Sequence, residues 1–416
     1  MRNASKISDS VDGIPTEQRG RETCAQVGTM ALWLIALLTS SLGCASQQVS
    51  SESNDAGAPT ADVQAADAAA TPDTGSTNDT GSSTQSDGAT TNPDSAKYDA
   101  VGPHLVGIQT IEIAMSHSKT IGAVWYPTKA KGTNHAYPPV FNPAVKPYAG
   151  AAYTDAPPDC SAPWPVIVHS HGSTTAYHDM AWLAEHLASH GAVIIAVNHV
   201  GNTAGISNVN YPAMAAQRPA DVAEAFDWLI KEAKRSGGPL EGCVDASAGY
   251  VASGYSFGGF TAYAVGGARI DNVAMQQSFF FGDDRVRGVM TFAPWDAFGS
   301  MTTGTAKIKV PVLTIGPARD QLIGPDYKVM HSSVTSKPKI LGEFADAGHL
   351  TLMANSCGKE LFQDGCGPGT WVNLDDFKRQ VSQGATAFFA YLNGKKNALK
   401  TIVDEAGLVE WTVEIQ

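Results

Sequence analysis

"YVASGYSFGGFTAYAVGG", Tyr250–Gly267, joins an apolar run to a helix-forming run and places Gly254, Gly258 and Gly259 around Ser256 at the junction. Glycine weakens strands and helices alike, so a cluster here points to a local need for backbone freedom. A G-x-S-x-G turn between a strand and a helix creates such a need. The serine takes a strained bend, glycines two residues to either side remove Cβ clashes, and the hydroxyl stands exposed at the C-terminal edge of a sheet. The following helix N-terminus favours negative charge developing beside it. Ser256 is the candidate nucleophile.

The flanking sequence supplies the sheet. "HLVGIQTIEIAM" and "TIGAVWYPT" alternate apolar and polar residues and read as an antiparallel pair joined near Ser116–Lys119. "WPVIVHSHG", "AVIIAVNHVG", "GYVASG", "RVRGVMTFAP", "VPVLTIGP" and "KPKILGEFADAG" are apolar runs that suit strands buried on both faces. Helical patterns lie between and after them. These are "MAWLAEHLASHG", "RPADVAEAFDWLIKEAKRSGG" with Pro219 and Asp221 in its first turn, and a long closing helix in "DFKRQVSQGATAFFAYLNG". The alternation predicts an α/β fold, a mostly parallel central sheet with helices on both faces.

A serine nucleophile needs a base and an acid to orient it, in the order Ser, acid, His on such a sheet. Two histidines follow Ser256. His349, in the glycine-containing loop of "FADAGHLTL", takes the base role, while His331 reads as a surface or half-buried residue of a helix. Two acids follow strands at the right edge, Asp320 in "GPARDQLIGP" and Asp296 in "FAPWDAF". Loop context favours Asp320, with Asp296 the alternative. The oxyanion donors are expected to be the backbone N–H of Phe257 and one from "HSHGSTTAYHD", from Ser173 or Gly172. His169 and His171 stand two apart with no third ligand apparent and read as loop-shaping residues. No dinucleotide or phosphate-binding motif is present in the sequence, so neither cofactor nor metal is expected.

The net charge of −12 argues against nucleic acid or an anionic membrane surface as partner. Much of that charge is local, since residues 45–97 hold eight Asp/Glu against one Lys. That segment has no aromatic residue and reads as a disordered tether. Residues 1–44 end in "MALWLIALLTSSLGC", an apolar core too short to span a bilayer comfortably, then small residues and Cys44. This predicts export, with Cys44 as a lipidation candidate and plain secretion as the alternative. Residues 98–416 are then the catalytic domain, expected as a monomer. An oxidising compartment makes disulfides the reading of Cys160, Cys243, Cys357 and Cys366, whose spacing lacks a metal-binding pattern. Of the three connectivities, Cys160–Cys243 and Cys357–Cys366 are favoured.

From about Gly102 to the closing helix, the chain resembles the α/β-hydrolase superfamily. The resemblance rests on "VHSHGS", "LASHGAVIIAVNHVGNT", "RPADV", "GYSFGG", "APWD", "ARDQLIGP" and "AGHLTL", in order. It extends to predicted dienelactone hydrolases, platelet-activating-factor acetylhydrolase-like esterases and cutinase-like polyester hydrolases. It implies Ser256 as nucleophile, His349 as base, and Ser173 and Phe257 as oxyanion donors. Asp320 matches the acid of the polyester hydrolases, and Asp296 lies near that of the acetylhydrolases. Trp295 matches an aromatic that lines the polyester hydrolases' cleft, a role a core tryptophan would not have. Two positions depart. Dienelactone hydrolases use cysteine where Ser256 stands, and Ser173 replaces an aromatic common in polyester hydrolases.

The expected function is a serine carboxylic-ester hydrolase with a fairly open cleft for short to medium acyl esters. Its substrate is a small-molecule or polymeric ester. A polyester or cutin-type hydrolase and a phospholipid short-acyl hydrolase are the alternatives within enzymes. A surface-anchored, non-catalytic binding protein on the same scaffold is the alternative from another class.

Overall fold

The computed structural model describes residues 98–416 except 273–275, 403, 405, 406 and 416. The targeting segment, the tether and Cys44 lie outside the described residues. The chain opens with the antiparallel pair β1 (Leu105–Ala114) and β2 (Lys119–Thr128), then β3 (Asn134–Tyr137) and β4 (Tyr148–Thr154). It continues through β5 (Val166–Ser170), α1 (Ala181–Ser189), β6 (Val193–Val197), α2 (Tyr211–Ala233), β7 (Tyr250–Tyr255) and α3 (Phe257–Val265). A hairpin, β8 (Arg269–Asn272) and β9 (Gln277–Phe280), precedes β10 (Val286–Phe292) and β11 (Val312–Pro317). The remainder is α4 (Asp326–Ser333), β12 (Lys339–Phe344), α5 (Leu374–Leu392) and β13 (Val409–Glu414).

Eleven strands form one sheet in the order β13-β12-β11-β10-β7-β5-β6-β2-β1-β4-β3. Its centre, β6-β5-β7-β10-β11-β12, is parallel throughout, and β2 and β13 join it antiparallel. Alternation along the strands explains why helices cover both faces. Val166 and Val168 of β5 enter one core with Val193 and Ile195 of β6, under α2, α3 and α4. Ile167 and Ile194 point the other way, into a core closed by α1 and α5. The long apolar runs are therefore buried twice over.

Three features differ from the sequence reading. Helix α2 begins at Tyr211, not near Pro219: Asn210 caps it by accepting the Ala213 N–H at 3.2 Å, and Pro212 lies in its first turn. Pro219 is inside the helix and Asp221 two residues further in, so two proline start signals compete and the earlier, capped one prevails. The connection after β6 is correspondingly shorter. Strands β3, β4, β8, β9 and β13 were not expected. The hairpin β8–β9 stands outside the main sheet. The disulfides Cys160–Cys243 and Cys357–Cys366 are both formed. No described helix is long and apolar enough to cross a membrane.

Candidate active site

Strand β7 ends at Tyr255 and α3 starts at Phe257, leaving Ser256 at φ 55° and ψ −118°, a conformation rarely adopted by a residue with a Cβ. The glycines make this turn possible. A Cβ on Gly254 would overlap the carbonyl oxygen of Gly258, and one on Gly258 would overlap that of Ser170. The bend is fixed from the next strand as well, because Ser256 N–H donates to Phe292 O at 2.9 Å and Trp295 N–H donates to Ser256 O at 3.1 Å.

Three elements converge on the Ser256 hydroxyl. His349 opens a short 3-10 turn after β12, and its Nε2 lies 2.9 Å from Ser256 Oγ. Asp320, just beyond β11, places Oδ2 2.7 Å from His349 Nδ1. The histidine thus donates through Nδ1 and accepts from the serine through Nε2. Asp320 is itself held, its Oδ1 accepting the N–H groups of Leu322 and Ile323 at 3.0 and 2.9 Å. Burial pushes the His349 imidazole down. The Asp320 carboxylate, with Asp364 and Asp326 behind it, outweighs burial and holds it above its ordinary value.

The other candidates separate clearly. Asp296 points away from His349: its Oδ1 accepts the Met301 N–H at 2.6 Å, and its Oδ2 accepts the Thr302 hydroxyl. His331 is not a surface residue but is buried against Thr314 Oγ1 at 2.9 Å, and burial together with Lys339 and Lys337 lowers it to about 3. Trp295 is 6% exposed and packs edge-on against Phe257, Tyr211 and Phe298. Of these, Phe298 is 55% exposed, so the aromatic cluster reaches the surface beside the serine. Among the described residues, no group of three His, Cys, Asp or Glu side chains is arranged to hold a metal ion.

Two backbone N–H groups beside Ser256, those of Phe257 and Ser173, have no acceptor among the described residues. The N–H of Gly172, the other sequence candidate, donates to Asp179 Oδ2 at 2.8 Å. His169 and His171 are committed to the scaffold. His169 bridges Ser253 Oγ and Asp179 Oδ1, and His171 Nε2 accepts the His199 N–H at 3.0 Å.

Sequence reasoning missed the layer beneath. A second serine, histidine and aspartate stand in line, with Ser170 Oγ 2.8 Å from His199 Nε2 and His199 Nδ1 2.7 Å from Asp221 Oδ2. All three are sealed from solvent, so this set braces the fold and meets no substrate. Arg218, fully buried, donates to Asn202 Oδ1 at 2.6 Å, to Ser170 Oγ at 3.3 Å and to the carbonyl oxygen of His171. Burial draws its guanidinium down to about 9 against the pull of Asp221 and Asp179. The available signal was in "RPADV", where Arg218 and Asp221 sit three apart, on one side of a helix that otherwise buries apolar residues.

Comparison with curated proteins gives no match. The family model for PETase, described as PET hydrolase-like, matches residues 144–363, more than half of the chain. That span holds the elbow at Ser256, the acid loop at Asp320, the histidine turn at His349 and the loop at Ser173, all carried on a mostly parallel α/β-hydrolase sheet. The chain belongs to the PET hydrolase-like family.

Proposed function

We propose that the protein is a serine-dependent hydrolase of carboxylic esters, with a polyester as the substrate class its site suits best. The observation that carries this reading is the continuous path from Ser256 Oγ through His349 to Asp320, at 2.9 and 2.7 Å. Ser256 attacks the ester carbonyl as His349 Nε2 takes its proton, and Asp320 holds the resulting imidazolium. The oxyanion rests on the N–H groups of Ser173 and Phe257. His349 then returns the proton to the departing alcohol, and water, activated in the same way, resolves the acyl-enzyme.

The polyester preference draws on the family and on the rim. Phe298, 55% exposed, packs on Trp295, which packs on Phe257 next to Ser256. Exposed aromatic side chains near a reactive serine suit an extended apolar chain better than a small soluble ester. The two disulfides support an exported location. Lipidation at Cys44, with residues 45–97 as a tether, belongs to the same proposal.

The test is release of soluble acid and alcohol from an aromatic polyester film, alongside hydrolysis of p-nitrophenyl esters from acetate to laurate. Wild type and Ser256→Ala are compared. Activity on both substrates that disappears in the variant supports the proposal. Full activity in Ser256→Ala would overturn the mechanism, and activity on soluble esters alone would overturn the polyester assignment.

A further inference from the structure

Resting on the reading of Ser256 as nucleophile, we infer that Arg218 is a positioning residue that sets both oxyanion donors through two separate contacts. The first contact runs through Asn202. Arg218 Nη1 donates to Asn202 Oδ1 at 2.6 Å, and Asn202 Nδ2 donates to Ser173 Oγ at 3.0 Å. The backbone of Asn202 extends the grip, since its carbonyl accepts the Thr174 N–H at 3.2 Å. Arg218 Nη2 holds the same loop at its other end, at the carbonyl oxygen of His171. The loop from His171 to Thr174 is thus pinned on both sides of the Ser173 amide.

That pinning has a physical reason. Thr174 stands at φ 54°, where a β-branched residue is strained, so the loop does not hold this shape by local preference. External bonds must fix it: Asp179 holds the Gly172 N–H and the Thr175 hydroxyl, Tyr211 meets the Ser173 hydroxyl, and Arg218 and Asn202 grip the segment on both sides of the Ser173 amide. The second contact reaches the other donor. The Arg218 guanidinium carbon lies 4.6 Å from the centre of the Phe257 ring, and the Phe257 amide is the first N–H of α3. One buried side chain therefore touches the loop carrying one donor and the residue carrying the other.

A purely structural role would be a pin between α2 and the sheet. It accounts for burial but gives no reason for the bonds to converge on the two donor segments. A guanidinium is also a costly way to fill space, because its charge is removed from water. Donors fixed where negative charge develops act on the transition state far more than on the bound ester. Loosening them is therefore expected to lower kcat and leave KM nearly unchanged.

The experiment compares Arg218→Met, Arg218→Lys and Asn202→Ala with the full-length protein, using p-nitrophenyl acetate and its thionoester analogue. Sulfur in place of the carbonyl oxygen accepts hydrogen bonds poorly, so the preference for the oxygen ester reports on the oxyanion donors. Asn202→Ala is expected to lose about tenfold in kcat and Arg218→Met about 100-fold, with KM within about threefold of wild type. Arg218→Lys falls between, since an ammonium cannot span the same acceptors. In each variant the oxygen-over-sulfur preference shrinks. Equal losses on both esters, or an unchanged kcat in Asn202→Ala, would overturn the inference. If Arg218→Met fails to fold, Asn202→Ala decides alone, because it cuts the path to Ser173 without removing the buried charge. Ser256→Ala is run beside them; activity surviving there would overturn the proposed function instead.

Discussion

The Tyr255 hydroxyl donates to the carbonyl oxygen of His349 at 3.1 Å, so the residue preceding the serine anchors the turn that carries the histidine. Their rings also lie 5.1 Å apart, tilted against each other. Tyr255→Phe keeps the ring and removes only the bond. It is expected to cost about 1 kcal/mol of stability and to reduce kcat several-fold. Denaturant melts and ester kinetics on the same preparation check this. A kcat equal to wild type would show that the turn holds itself.

The raised His349 pKa fixes the sign of the pH dependence. The base form is required for attack, so kcat/KM rises with pH through a midpoint above the ordinary histidine value of 6.5. In Asp320→Asn the carboxylate is lost and burial remains, so the midpoint moves down. The loss of orientation lowers kcat by about 10⁴-fold. A pH–rate profile of both proteins is the measurement, and a midpoint that does not move would exclude His349 as the titrating base.

The two disulfides are expected to act differently. Asp364, on the loop closed by Cys357–Cys366, accepts the Gln321 and Leu322 N–H groups at 3.1 Å each, immediately after Asp320. Replacing both cysteines by serine costs about 3 kcal/mol by loop-closure entropy and also lowers kcat. Cys160–Cys243 lies ahead of β5 and β7, at the opposite end of these strands from Ser256. Its removal is expected to lower the melting temperature and leave kcat unchanged. Thermal melts paired with kinetics separate the two effects.

The elbow glycines are expected to rank by what their Cβ would meet. Gly258→Ala drives a methyl into the Ser170 backbone, which cannot move without shifting β5. A loss of about 3 kcal/mol and of nearly all activity is expected. Gly259→Ala meets the Pro294 Cβ at 2.7 Å and its backbone Cα at 2.8 Å, which also forces a shift but overlaps less than the 1.8 Å approach to Ser170 O at Gly258, so it is the milder of two costly variants. Equal losses in the two would contradict this ranking.

The parallel centre of the sheet was legible because its strands are uninterrupted apolar runs, and the elbow because three glycines mark one serine. Chain order narrowed the partners of Ser256 and loop context favoured Asp320 over Asp296; the structure brings Asp320 and His349 together with Ser256. The strands that went unseen are of another kind. "NHAY" at β3 and "YAGAAYT" at β4 are short and rich in small residues, with no long apolar run to mark them. The start of α2 was lost to Pro219, which imitates a first-turn proline. The Arg218 network was only faintly marked, by the Arg218–Asp221 spacing, for a different reason. Ser170 ends β5, His199 and Asn202 share the loop after β6, and Arg218 lies on α2, and their residue types are those of ordinary exposed positions. That spacing alone does not say which residues they meet, and their joint burial shows only once the chain is folded.

Strand β13 pairs antiparallel along the whole of β12, from Lys339 opposite Glu414 to Phe344 opposite Val409. Its Glu410 and Thr412 face water, and Glu414 meets Lys337 and Lys339. The parallel strands therefore never offer their own unpaired backbone at this margin, and the strand that does is charged. β13 works as a selvedge: it finishes the weave where β12 would otherwise end it, and its charges disfavour the stitching-on of a second chain.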